Sequence, residues 1–246
     1  VCALGGLSLQ LNKYLINEIY EDNHLLVIEK PVNLPSQADA TGDPDLLSIL
    51  KQRLKDKYNK PGNVYLGLVH RLDRPVGGVM VFAKTSKAAA RLSEQIQQHI
   101  FEKNYLAVVH GTPAKRNAQL EHFLRKDPIK NKVTVFSKPV SQSKQAILDY
   151  QVLEVVNDLS LVSINLRTGR SHQIRAQLAA IGHPLYGDQK YGDHLSKVGE
   201  QLALWSVKIK FKHPVKEEQL AFESNPPACY PWLEFSYLSR GNKNMT

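Results

Sequence analysis

Apolar residues in this chain come in strand-length runs that stop at glycine, proline or an Asn/Asp turn, and this pattern constrains the fold more than any other feature. The run HLLVIEK at 24–30 ends in PVNLP, where Pro31 and Pro35 keep the following loop out of helix. Segments 64–69 and 79–83 read as short buried strands separated by a loop at 70–78 that holds Pro75 and two glycines. Segments 105–109, 132–136, 146–156 and 159–166 are rich in Val, Ile, Leu, Tyr and Phe, and the Asn157-Asp158 pair reads as a hairpin turn. From 202 to 211, polar-leaning positions alternate with Ala203, Trp205, Val207, Ile209 and Phe211, as in a strand with one buried face.

Helical spacing is confined to three places. Leu46, Leu47, Ile49, Leu50 and Leu54 mark an amphipathic helix over 45–57. Ser86 is the expected N-cap of a helix reaching about residue 100, with Ala89, Leu92, Ile96 and Ile100 on one face. A shorter helix is expected over 172–181, capped by Ser171 and ended by Gly182. Strands therefore dominate, with helices inserted among them, which is an α+β sheet protein with neither a βαβα rhythm nor a repeat.

The length of 246 residues suits one large domain or two tight subdomains. No apolar segment approaches the roughly 18 residues of a membrane span, so no membrane partner is expected. The first fifteen residues lack a basic stretch followed by a long apolar one, which makes the cytoplasm the expected compartment. The two cysteines, Cys2 and Cys229, form no CxxC and no zinc-finger spacing. The net charge is +9, yet residues 1–60 hold seven Lys/Arg against eight Asp/Glu, so the basic excess lies wholly downstream. A surface of that kind points to a polyanion, RNA or DNA.

Three segments offer chemistry. His70-Arg71-Leu72-Asp73-Arg74 places a carboxylate between two guanidinium groups where a strand ends and a glycine-containing loop begins. Nearby positive charge is expected to keep Asp73 ionised and oriented. In 166–175, Arg167, Arg170 and Arg175 gather with His172 and Gln173 at a helix N-terminus, a set of donors suited to phosphate or carboxylate. The third, 182–194, interleaves Gly, aromatic and acidic residues; its His183, Asp188, Asp193 and His194 are all possible metal ligands, but their spacing fits a rigid loop walling a pocket better than a metal site.

Taken in order, EKPVNLPS, HRLDR followed by GGVMVFAKT, KNYLAVVHG, LRTGRSHQIRAQLAAIGHPLYGD and LALWSVKIKFKHP resemble the RluA-type pseudouridine synthases over roughly residues 20–235. The chain departs from the family just after the aspartate, where Asp-Thr-Ser-Gly is frequent and Pro75-Val76-Gly77-Gly78 stands here. The resemblance implies a mixed, largely antiparallel β-sheet catalytic domain over 21–238, with flanking helices and a central cleft. It leaves 1–20 as an N-terminal extension and 239–246 as a flexible tail. It also implies an RNA-modifying isomerase that uses no cofactor and no metal, acts as a monomer, and takes ribosomal or transfer RNA as its partner. About 20 residues precede the expected first strand, too few for the S4-type RNA-binding module of some related synthases. Target choice is then expected to lie in the catalytic domain and its loops, for example 117–138.

Carried onto this chain, the resemblance makes Asp73 the nucleophile, Tyr105 the aromatic of the uracil pocket and Arg175 the charge partner of Asp73. Arg71 is the candidate to fill the space left by a flipped base, and Ile174 or Leu185 to touch the ring. Leu72, Arg74, Arg170, His172 and Gln173 complete the expected substrate-binding set. The residue types suit the chemistry. Hydrolysis of a glycosidic bond requires a second carboxylate to activate water, and these segments offer one clear carboxylate, Asp73. Two other readings stand beside this one: an inactive RNA-binding protein on the same fold, and a metal-dependent hydrolase built on His183, Asp188, Asp193 and His194.

Overall fold

The computed structural model describes residues 15–241. In chain order the strands and helices are β1 (Asn17–Glu21), β2 (Leu25–Lys30), α1 (Leu46–Lys57), β3 (Gly67–Leu68), β4 (Gly77–Ala83), α2 (Ser86–Gln97), β5 (Glu102–His110), β6 (Asn117–Asp127), β7 (Lys132–Phe136), β8 (Lys144–Val156), β9 (Leu159–Leu166), α3 (Gln173–Ala180), β10 (Leu204–Lys212), β11 (Gln219–Glu223) and α4 (Ser236–Gly241). The fold is α+β, and the strand pairings described below are antiparallel. The chain divides into two compact units, one made of the residues up to Phe101 with Lys210–Ser224, the other of Glu102–Ile209 with the residues from Asn225 onward.

In the first unit β2 pairs with β1 and β4, and β3 adds a two-residue pairing to β4. Every residue of β4 is buried, as is all of β2 except Glu29. Both helices begin with side-chain caps: Asp45 accepts from the Ser48 N–H of α1, and Thr85 accepts from the Ala88 N–H of α2. The cap of α2 is thus one residue earlier than Ser86, because Thr85 is the residue with extended backbone. The expected strand at 64–69 shrinks to Gly67–Leu68. A strand was also missed: β1 begins inside the expected N-terminal extension, and two of the five residues of its sequence NEIYE are acidic. Burial alone would raise the Glu21 pKa, but hydrogen bonds from Lys57, Lys84 and Tyr58 hold it at about 2. Those partners come from elsewhere in the chain, so the strand carries no local signal.

In the second unit β9 pairs with both β5 and β8, and β6 with both β8 and β7. The turn between β8 and β9 is the expected one, with Asn157 in the left-handed region at φ 52°. Segment 117–138, offered as a target-choosing loop, is largely the hairpin of β6 and β7; β7 is the strand expected at 132–136, and β6 was not expected. Along β6 only Leu120 and Leu124 are buried, because its other side chains face solvent, so the run has no apolar signature. Helix α3 is shorter than expected and uncapped by a side chain; its N-terminal residue His172 is left-handed at φ 50°. Helix α4 runs into the expected tail, and residues 242–246, like Cys2, lie outside the described residues. Trp205 and Trp232, each 5% exposed, are core residues. Among the described residues no helix is long and apolar enough to cross a membrane.

Candidate active site

The candidate residues fall in both units, and each group is built by its own surroundings. In the first unit Asp73 is half-buried on the loop between β3 and β4. The loop is tied down on both sides of it. Leu72 is buried; its carbonyl accepts from Ser36 Oγ at 2.7 Å and its N–H donates back to that hydroxyl at 3.3 Å. The Val76 N–H donates to the Asp73 carbonyl at 3.0 Å, closing a four-residue turn. Gly78 follows at φ 115°, a backbone open to glycine and strained for other residues, opposite Lys30 in the β2–β4 register.

Sequence reading missed Lys30. It ends β2 with its side chain fully buried, and its ammonium donates to the carbonyls of Pro31, Arg74 and Val76 at 2.9, 3.2 and 2.7 Å. Two of those three acceptors flank Asp73. Burial pulls the Lys30 pKa down to about 7, and the Asp73 carboxylate works against that pull. A lysine at a strand end looks like a solvated residue in sequence, and the only local hint was the proline after it.

The two arginines of HRLDR do not bracket Asp73 as expected. Arg71 is exposed, and Arg74 turns outward to pair with Asp43 at 2.7 Å. Arg74 sits at the second position of the Asp73–Val76 turn, from which its side chain reaches Asp43 of the loop before α1. His70 accepts from the Val81 N–H through Nε2 at 3.1 Å and packs its ring on Phe101.

In the second unit Tyr105 is buried on β5, opposite Ile164 of β9. The turn 167–172 is organised by the buried amide of Gln173. Its Oε1 accepts from the Thr168 hydroxyl at 2.8 Å and the Arg170 N–H at 3.0 Å, and its Nε2 donates to the Ile147 carbonyl. This inward amide orders the turn, while Ser171 does not cap α3. Arg170 is exposed, with Nε donating to the Gln145 carbonyl. Buried Lys103 lies close beneath Gly169, where an added Cβ would stand 3.3 Å from Nζ, and desolvation lowers its pKa.

Arg175 is 7% exposed and makes a two-pronged pair with Asp188, Nε at 2.8 Å and Nη2 at 2.7 Å. Burial would raise the Asp188 pKa, but Arg175 and the backbone N–H groups of Lys190 and Tyr191 hold it below the usual range. Asp188 is thus committed to an arginine and not to a metal. His183 Nδ1 bonds the His110 carbonyl, while Asp193 and His194 are exposed. Among the described residues no three His, Cys, Asp or Glu side chains gather to hold a metal ion. Ile174 and Leu185 are core residues, Leu185 bridging to Val109 of β5.

The sequence profile of the RNA pseudouridylate synthases matches residues 24–180. Over 236 residues the chain is 35% identical to an uncharacterized RNA pseudouridine synthase of Aquifex aeolicus, covering 89% of this chain and 73% of that protein. It is 31% identical to ribosomal large subunit pseudouridine synthase D of Zymomonas mobilis, over 92% of this chain and 74% of the relative. It is also 31% identical to tRNA pseudouridine synthase C of Haemophilus influenzae, over 84% and 91% respectively. In fold it is similar to human RNA pseudouridylate synthase domain containing 4, with a TM-score of 0.75 across 96% of each chain at 22% identity.

Proposed function

Since the chain belongs to the RluA-type RNA pseudouridine synthases, which are isomerases, we propose that it converts a uridine in structured ribosomal or transfer RNA to pseudouridine with Asp73 as the nucleophile. The observation that carries this reading is the brace around Asp73: Ser36 on one side and the buried Lys30 ammonium on the other hold the loop from its backbone. A carboxylate held this way needs little reorganisation when it meets a reacting carbon.

In the proposed reaction the target uridine is flipped out of its helix, at a cost of a few kcal/mol that stacking and phosphate contacts offset. The bond between N1 and the sugar breaks with Asp73 taking up the electrophilic sugar or base carbon. The uracil stays bound, turns, and joins the sugar through C5, and the bond to Asp73 breaks so that the carboxylate is restored. The C5 proton leaves to water and N1 gains one, so the product is an isomer and no cofactor enters. Tyr105 serves the uracil pocket and Arg175 supplies positive charge. The exposed Arg125, Lys126, Lys130 and Lys132 on the β6–β7 hairpin suit the RNA backbone.

The test is tritium release from RNA labelled at uridine C5, using total transfer RNA and ribosomal RNA as separate pools, without added metal. Release by the wild type and not by Asp73→Asn is the expected result, and the pool that responds names the substrate class. Salt-sensitive RNA binding without release from either pool overturns the reading in favour of an inactive RNA-binding protein.

A further inference from the structure

The loop that follows α3 is pinned at two glycines. A Cβ on Gly187, at φ 73°, would stand 2.3 Å from the Gln201 carbonyl oxygen, and one on Gly192 would stand 2.8 Å from Pro184 Cβ. Between these contacts the loop presents Asp188 and Tyr191 to His172, which ends the turn, and to Arg175 in the first turn of α3. Asp188 fixes the edge of the Arg175 guanidinium, whose central carbon lies over the Tyr191 ring at 5.4 Å from its centroid. The Tyr191 hydroxyl has a second task. It accepts from the Val133 N–H of β7 at 2.8 Å and bonds His172 Nδ1 at 2.8 Å.

The hydroxyl is not needed to fill space. The Tyr191 ring already packs on the cluster of Leu124, Val133, Ala146 and Ala176, where a phenylalanine ring would serve equally. What the hydroxyl adds is a tie between a β-hairpin and a residue in a costly conformation. Left-handed backbone at a non-glycine residue costs on the order of 1 kcal/mol, and His172 bears it without a capping hydrogen bond from its own side chain. Something outside the turn must hold it, and Tyr191 is placed to do so.

We propose that Tyr191 is a positioning residue for the isomerisation: its hydroxyl locks the His172 turn to the β6–β7 hairpin, and its ring then holds the Arg175 guanidinium in one plane. The inference rests on the pseudouridine synthase reading and on Arg175 acting in it. Tyr191 touches no reacting atom in this account; it acts through His172 and Arg175.

The experiment measures kcat and KM for tritium release, and thermal melting, for the wild type, Tyr191→Phe, His172→Asn and the double variant, with Asp73→Asn alongside. Asparagine tolerates left-handed backbone, so His172→Asn removes the ring and spares the fold. The expected result is a fall in kcat of about tenfold for Tyr191→Phe with KM held within about twofold. In the His172→Asn background the same change should cost less than about twofold, since the hydroxyl, still bonded to the Val133 N–H, has lost its tie to the turn. Wild-type kcat in Tyr191→Phe, a loss confined to KM or to melting, or additive losses in the double variant would each overturn the proposal. A wild type that releases no tritium overturns the parent reading and this one with it. An active Asp73→Asn beside a slow Tyr191→Phe overturns only the nucleophile assignment and supports the positioning role.

Discussion

Lys30 Nζ donates to the Val76 carbonyl at 2.7 Å across 46 residues of sequence, and Val76 closes the turn that begins at Asp73. The Pro75-Val76-Gly77-Gly78 segment is therefore held by a buried lysine. Pro75 has no N–H to offer, and the Val76 carbonyl is the closest of the three acceptors around Lys30.

Lys30→Met keeps most of the apolar stem and removes the ammonium. The carbonyls of Pro31, Arg74 and Val76 lose that donor, at about 1–3 kcal/mol for each buried carbonyl left unsatisfied. Removing a buried charge offsets part of this in stability but restores nothing to the loop geometry. Tritium release is expected to fall by roughly 10- to 100-fold in kcat while the protein still melts cooperatively. An unchanged kcat would mean that the loop stands without the brace.

The pH dependence of stability follows from the same residue. The folded-state pKa of Lys30, about 7, lies below the ordinary lysine value of 10.5. Above pH 7 the unfolded chain holds a proton that the folded chain has released, so this group's contribution to stability rises with pH and levels off near the ordinary value. Urea unfolding of the wild type and Lys30→Met at pH 7, 8 and 9 should show the difference moving in favour of the wild type as pH rises. A constant difference would refute the depressed pKa.

Glu21 gives the opposite sign. Its folded-state pKa of about 2 lies below the ordinary 4.5, so its pairing with Lys57 and Lys84 contributes fully above pH 4.5 and is lost as pH falls toward 2. Lys57 is half exposed, which screens part of the effect and leaves about 1–3 kcal/mol. Denaturation midpoints of the wild type should drop more steeply than those of Glu21→Gln between pH 5 and 2.

Gly187→Ala meets both a left-handed φ of 73° and a backbone oxygen 2.3 Å from the new Cβ. Neither can relax by a side-chain rotation, so a loss of about 2–4 kcal/mol is expected from equilibrium unfolding. Gly182→Ala, at φ 87° with nothing within 4 Å of the added Cβ, isolates the backbone cost and should lose about 1 kcal/mol. Equal losses in the two variants would show that the approach to Gln201 carries no energy.

What the chain's own sequence determined was whatever is decided by residues close together in it. The apolar runs of β2, β4, β5, β8 and β9, the Asn157 turn, the amphipathic spacing of α1 and α2 and the ordered motifs around Asp73 and Arg175 were all legible, because propensity, period and turn chemistry act over a few residues. Tertiary structure alone decided the rest. The acidic edge strand β1 is stabilised by lysines from α1 and from the residue after β4, and the solvent-facing hairpin strand β6 is ordered by pairing with β7 and β8. Arg74 found Asp43, Arg175 found Asp188, Gln173 turned inward to tie the turn before α3, and Lys30 went under the Asp73 loop. Apart from the exposed Arg74–Asp43 pair, each is a polar group whose partner is set by burial. Inside a protein an unpaired polar group costs too much to leave, so the folded surroundings choose its partner, and sequence distance has no say in the choice.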